Sequence, residues 1–191
     1  MPRAEHRQKP ATYEDLLQVP DHLVAEIIDG ELYTSPRPAP RHADSSSTLA
    51  GVLHGPFDRG RNGPGGWRIL FEPELHPGPD VLVPDFGGWR RERLPALPEE
   101  AYFSLAPDWV CEVLSPSTAA LDRMKKLTVY ARERVQHAWL IDPIAQTLEA
   151  LQLENSRWMI LGTCGGVEVV RLLPFEAIEL DLAVLWDIQS S

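Results

Sequence analysis

The spacing of apolar and polar residues changes period several times along this chain, and each change predicts an element. Val24-Ala25-Glu26-Ile27-Ile28 runs into Asp29-Gly30, and Glu31-Leu32-Tyr33 follows, which predicts two strands joined by a tight hairpin turn. Upstream, Thr12 with Asp15 three residues on approximates a capping box, opening a short helix through Leu16 and Leu17 that stops before Pro20. Residues 36–40 are a stiff proline connection, and residues 42–54 then carry Leu49, Val52 and Leu53 on one helical face. Residues 67–71 and 81–83 read as neighbouring strands. The glycine-rich stretch before them, residues 60–66, matches neither a phosphate loop nor a dinucleotide fingerprint and reads as a turn.

In the second half the patterns lengthen. Residues 90–103 are polar and proline-bearing, a loop or short helix over the sheet. Trp109-Val110-Cys111-Glu112-Val113-Leu114 is almost wholly apolar and predicts a central strand buried on both faces. Ser117 or Thr118 can cap a helix running to about residue 134, with Ala120, Met124, Leu127, Ala131 and Val135 as its buried stripe. Lys126 lies beside that stripe, one turn from Asp122 and from Tyr130. Residues 137–143 form a further strand, residues 147–153 and 157–163 a hairpin around Asn155-Ser156, and residues 175–186 hold short apolar runs that close the core. Neither a repeat nor a linker is visible, so residues 12–191 read as one domain behind a disordered basic tail of residues 1–11.

Composition changes this picture only modestly. Among 191 residues, 43% are hydrophobic and six are Trp, enough for a sizeable core. A run of about 18 apolar residues, which a membrane helix would need, does not occur. Residues 1–9 lack the apolar centre of a secretory signal. Two cysteines, Cys111 and Cys164, make no disulfide framework, so the cytoplasm is the expected compartment. The net charge of −10 argues against phosphate binding over the whole surface. Local basic strips remain at Arg90, Arg91 and Arg93 and at Arg123, Lys125 and Lys126, where solvated surface is the plain alternative.

The candidate chemistry lies where carboxylates meet apolar runs. A carboxylate in a buried strand costs several kcal/mol unless a cation or metal pairs with it. Asp85 closes Val81-Leu82-Val83-Pro84, and Glu112 sits inside the central strand. With Lys126 they have the residue types of a divalent-metal nuclease site. Magnesium needs only one or two carboxylates plus substrate phosphate and waters, and a lysine can stabilise the charge of the reacting phosphate. A structural ion pair with nearby arginines explains the same two acids equally well. Pro79-Asp80 and Pro107-Asp108 show that a Pro-Asp pair alone proves nothing, since both precede strands and read as turn acids. Glu26 is a suspicious acid on an apolar strand face, although a surface position on an edge hairpin is the commoner arrangement.

Five motifs occur in order: Glu26-Ile27-Ile28-Asp29-Gly30-Glu31-Leu32, Val83-Pro84-Asp85, Glu112-Val113-Leu114-Ser115-Pro116-Ser117-Thr118, Asp122-Arg123 with Lys126-Leu127 and Tyr130-Ala131, and Trp139-Leu140-Ile141-Asp142-Pro143. Together they resemble a large bacterial family of restriction-endonuclease-like proteins within the PD-(D/E)XK nuclease superfamily. The likeness extends over residues 13–186. It implies an α/β fold, a mixed β-sheet flanked by helices with the restriction-endonuclease-like core. It implies a DNA endonuclease using Mg²⁺, or Mn²⁺ in its place, with Asp85 and Glu112 as metal ligands. Leu114 stands where the superfamily places its lysine, and the family pattern implies Lys126 as the replacement, with Glu26 as an accessory acid. His42 lies near a family histidine but reads as a surface or helix-start residue. By analogy the partners are DNA and a second copy of the chain in a homodimer. The alternative is a catalytically weak or inactive module that binds nucleic acid or a protein partner.

Overall fold

The structure, a computed structural model, describes residues 9–187. Residues 1–8 of the expected tail lie outside the described residues, whereas Ala11 already donates its N–H to the Gly30 carbonyl at 2.8 Å. Thr12 and Asp15 form the reciprocal capping box of α1 (Tyr13–Leu16). The predicted hairpin follows as β1 (Leu23–Ile28) and β2 (Glu31–Pro36), with Asp29 and Gly30 both at positive φ, as a tight turn between twisted strands requires. Helix α2 (Pro40–Leu53) has Pro at its first turn and continues as a π-helical turn at His54–Asp58.

A six-stranded mixed sheet forms the centre, in the order β3 (Trp67–Phe71), β4 (Phe86–Arg90), β5 (Trp109–Val113), β6 (His137–Asp142), β7 (Thr147–Glu154) and β8 (Arg157–Gly165). Only β5 and β6 are parallel. A parallel pair needs a crossover; here it is α3 (Ala119–Leu121), a π-helical turn (Asp122–Lys126) and α4 (Leu127–Arg132). Helix α2 packs Leu49 and Leu53 on one face of the sheet against Trp109, Cys111 and Val113. Leu127, Val129 and Tyr130 pack on the other face against Val110, Leu114 and Leu140. The short pair β9 (Val169–Val170) and β10 (Leu180–Asp181) and a 3-10 turn (Leu182–Trp186) bring Phe175, Leu180, Leu182 and Leu185 into the first of these cores, as expected of the C-terminal runs.

Two expectations are corrected. Residues 81–83 are no neighbour of β3; Val81 makes a single bridge to Ile27 and Leu82 one to Leu75, while the partner of β3 is β4. Its Gly87-Gly88 carries little strand propensity, which conceals the strand. The glycines are there for space: a Cβ at Gly88 would lie 2.9 Å from Trp109 Cε3, and one at Gly87 2.8 Å from Trp89 Cη2. Gly88→Ala should therefore cost about 1–3 kcal/mol through overpacking, read as a lower denaturant midpoint at unchanged m-value. An unchanged midpoint would contradict that reading of the indole layer.

The second correction concerns the crossover helix. Ala120 and Met124, expected in its buried stripe, are exposed, while Asp122 and Lys126 are buried with Leu127 and Tyr130. The cause is the π turn, in which the Leu127 N–H bonds to the Asp122 carbonyl five residues back. One extra residue in the turn rotates the face, as π-bulges in functional regions do, and aims Asp122 and Lys126 at the sheet.

Candidate active site

The C-terminal end of β5, where the crossover departs, gathers the charged residues that the sheet buries. Asp85 precedes β4, and its side chain reaches sideways to β5: Oδ2 accepts the Val113 N–H at 2.7 Å. Its other oxygen lies 3.2 Å from Nε2 of His42, in the first turn of α2. Behind the ring, Ser46 Oγ is 3.5 Å from His42 Nδ1. Glu112 meets the side chains of the crossover and lines the same pocket as Asp85. Its Oε1 accepts the Tyr130 hydroxyl at 2.6 Å and lies 3.0 Å from Lys126 Nζ, and Nζ is 3.1 Å from Oε2. The same ammonium lies 3.0 Å from Glu26 Oε1, 3.6 Å from Asp122 Oδ1 and 3.2 Å from the Val83 carbonyl. Glu26 in turn accepts the Val83 N–H at 2.8 Å, tying the β1–β2 hairpin to the segment that leads into Asp85.

Burial raises the stakes of every charge here. Burial disfavours the Lys126 ammonium, but Glu112, Glu26, Tyr130 and Asp122 outweigh it and hold its pKa well above the ordinary value. Burial also pushes Glu112 well above the usual carboxylate range, Lys126 pulls it back, and Asp122, Asp85 and Glu26 push it up again. Asp122 is raised for the same reason, burial first. His42 is opposed by burial, yet its hydrogen bond to Asp85 and the charge of Asp85 raise it above its usual value. One lysine thus faces three buried acids, and one histidine faces the half-buried Asp85.

These groups line an open pocket of about 260 Å³, together with Arg37, Glu72 and the Ser115-Pro116-Ser117-Thr118 turn. Asp85, Glu112, Lys126 and Glu26, the four expected site residues, all lie on it. The surface position weighed for Glu26 is not adopted; it is buried. His42 corrects a second expectation, since only 11% of its side chain is exposed and it holds Asp85. Asp122 and Tyr130 complete the arrangement; their signal in the sequence was their spacing of four residues on either side of Lys126. Leu114 is buried among apolar side chains, and the Lys126 ammonium stands beside Glu112 instead.

The other candidates fall away from the pocket. Asp80 accepts the Asp29 N–H and pairs with Arg132, and Asp108 accepts the Arg90 N–H and pairs with Arg93, so both are structural turn acids. Arg91 bonds Asp58, and the Arg90 guanidinium stacks 4.0 Å from the Trp67 ring centre. Arg90 ends β4 and Asp85 precedes it, roughly 17 Å away along an extended chain. Arg123 pairs with Glu149, and Lys125 with Glu31. The basic strips are therefore largely committed to intramolecular pairs.

A family model described as "Uma2: Putative restriction endonuclease" matches residues 10–184. The chain belongs to the Uma2 family. No curated protein matches it. Among solved structures, a crystal structure described as "a putative nuclease belonging to DUF820" from Anabaena variabilis ATCC 29413 superposes with a TM-score of 0.75 at 23% identity, covering 93% of this chain and 98% of that one. The likeness establishes the α/β fold, a mixed six-stranded sheet flanked by helices. If Asp85 ligates a divalent ion, His42→Ala should lower Mn²⁺ affinity about 10–100-fold, the usual cost of losing a group that orients a ligand, without changing the fold. Calorimetric titration of both proteins checks this, and equal affinities would leave His42 without a role.

Proposed function

We propose that this chain is a divalent-metal-dependent DNA endonuclease that hydrolyses phosphodiester bonds, with Mg²⁺ as its ion and Mn²⁺ able to replace it. The observation that carries this reading is the charge imbalance of the pocket: among the described residues, five acids line it (Glu26, Glu72, Asp85, Glu112 and Asp122) against the cations Arg37, Lys126 and His42. Hard carboxylate oxygens on an open pocket suit Mg²⁺, and a divalent cation would offset the excess negative charge. Among the described residues no three His, Cys, Asp or Glu side chains converge into a complete metal cage. Two carboxylates suffice when waters and a substrate phosphate supply the remaining positions.

In this reading Asp85 and Glu112 hold the ion, which supplies polarisation of the phosphoryl oxygen and acidification of a bound water. Val113 N–H and His42 fix the Asp85 carboxylate, and Tyr130 fixes that of Glu112. Lys126 keeps its proton because of the acids around it, and its positive charge lies ready for the negative charge that develops on the reacting phosphate. Glu26 holds the lysine in place. Membership of the Uma2 family supports nuclease chemistry and a DNA substrate. No described helix is long and apolar enough to cross a membrane, and both cysteines are free, which fits a cytoplasmic enzyme. Pairing of two copies to cut both strands follows from analogy with restriction-type nucleases.

The test is incubation of the purified protein with single-stranded, duplex, nicked and branched DNA, with Mg²⁺, Mn²⁺ or EDTA, beside Asp85→Asn. Metal-dependent cleavage absent from the variant supports the reading. Binding without cleavage under every condition would favour the inactive DNA-binding alternative.

A further inference from the structure

The pocket does not end at the carboxylates. A second hollow of about 410 Å³ adjoins it, and Val24, Arg37, Glu72 and Val83 line both, so the two form one groove. Leu17, Val19, Pro20 and Leu23 make one apolar wall of the extension, Asp21, Glu72 and Glu74 add acids to its lining, and Leu17 is 61% exposed. The junction is anchored to the site. Glu72 takes a left-handed backbone at φ 43°, rare for a residue with a side chain, and donates its N–H to the Asp85 carbonyl at 3.0 Å.

Arg37 stands at that junction on the Pro36-Arg37-Pro38 connection. It donates to the Asp21 carbonyl at 2.8 Å, and Glu72 is 3.9 Å away, beyond hydrogen-bond distance. A guanidinium has five N–H donors, so several are free to meet a phosphate. Among the described residues, Lys126 and His42 are the other cations of this groove, and both already face carboxylates. A duplex binder spreads many cations along its phosphates; this extension offers one cation, Arg37, beside the apolar wall of Leu17, Val19, Pro20 and Leu23. That combination fits a strand whose base is unpaired and whose phosphate is neutralised singly.

Resting on the endonuclease reading, we infer that this groove is a subsite for an unpaired nucleotide next to the scissile phosphate. Arg37 binds that nucleotide's phosphate and the Leu17 wall takes the face of its base, so the preferred substrate is single-stranded or frayed DNA.

The test measures binding of labelled single-stranded DNA and of a blunt duplex in Ca²⁺, for wild type, Arg37→Ala and Leu17→Glu, alongside cleavage in Mg²⁺. Both substitutions are at exposed positions, and circular dichroism checks the fold. Wild type should prefer the single strand about tenfold. Arg37→Ala should lose roughly tenfold in affinity and flatten the salt dependence by about 0.7 in log–log slope, the contribution of one phosphate contact on a single strand. Leu17→Glu should weaken single-strand binding while leaving duplex binding unchanged. Equal wild-type affinity for the two forms, or variants that bind the single strand like wild type, overturns the inference. Cleavage that persists in that case leaves the endonuclease reading standing. Arg37- and Leu17-dependent single-strand binding without any cleavage upholds the subsite and removes the activity. Neither binding nor cleavage overturns both.

Discussion

Replacing Lys126 by Ala should abolish measurable turnover and also lower stability by about 3–5 kcal/mol, the cost of leaving buried charge without its partner. The ammonium is the shared counter-ion of Glu26, Glu112 and Asp122, all within 3.6 Å. At about 2–4 °C per kcal/mol for a domain of this size, the melting temperature should fall by roughly 6–20 °C. The loss should depend on pH in a definite direction. Burial already holds Glu112 and Asp122 above the usual carboxylate range, and without the ammonium it would hold them higher still. The folded variant then keeps protons that the unfolded chain has released, so its stability falls as pH rises above the carboxylate range. The deficit against wild type should be smallest near about pH 4 and grow toward neutrality. Thermal melts across that range check it. A variant as stable as wild type at neutral pH would mean that the lysine is not the counter-ion these distances describe.

The second large effect is expected at the carboxylates. Asp85→Asn and Glu112→Gln should each abolish Mn²⁺ binding in a calorimetric titration and reduce turnover by about 10²–10³-fold, the scale on which removing a group that stabilises the transition state acts. Their effect on folding should be opposite to that of Lys126→Ala. Glu112→Gln removes one of three acids competing for one ammonium, and its amide oxygen can still accept from Tyr130, so metal-free protein should melt at or above the wild-type temperature. Asp85→Asn keeps an oxygen for the Val113 N–H and should melt close to wild type. A marked loss of stability in Glu112→Gln with Mn²⁺ binding unchanged would make this a structural ion pair and not a metal site.

Glu112 and Lys126 were legible because a charge beside an apolar pattern demands a partner, and each proved to be the other's. The hairpin turns at Asp29-Gly30 and Asn155-Ser156 were legible because positive φ selects a short list of residues. Strand β4 was hidden, since Gly87 and Gly88 were chosen by the indoles packed on them and not by strand propensity. The inward turn of Asp122 was hidden as well: a π turn adds one residue to the period, and a window tuned to regular helices then assigns Ala120 and Met124 to the wrong face. His42 was underrated because its partner Asp85 lies 43 positions away, across a fold that the local pattern of α2 does not reveal. Long-range pairing of this kind leaves no local signature. The partners of Arg91 and Arg93 were hidden for the same reason: Asp58 closes the π turn after α2, and Asp108 lies in the loop before β5.

The most direct test of metal-dependent cleavage at this site is the single-turnover rate of cutting a labelled DNA strand as Mg²⁺ is raised from zero, for wild type and Asp85→Asn in parallel. Metal-dependent cleavage at this site requires no cutting in EDTA, a wild-type rate that rises and saturates with Mg²⁺, and a variant that stays near background throughout. Cleavage in EDTA equal to that in Mg²⁺, or an Asp85→Asn rate matching wild type, would contradict it.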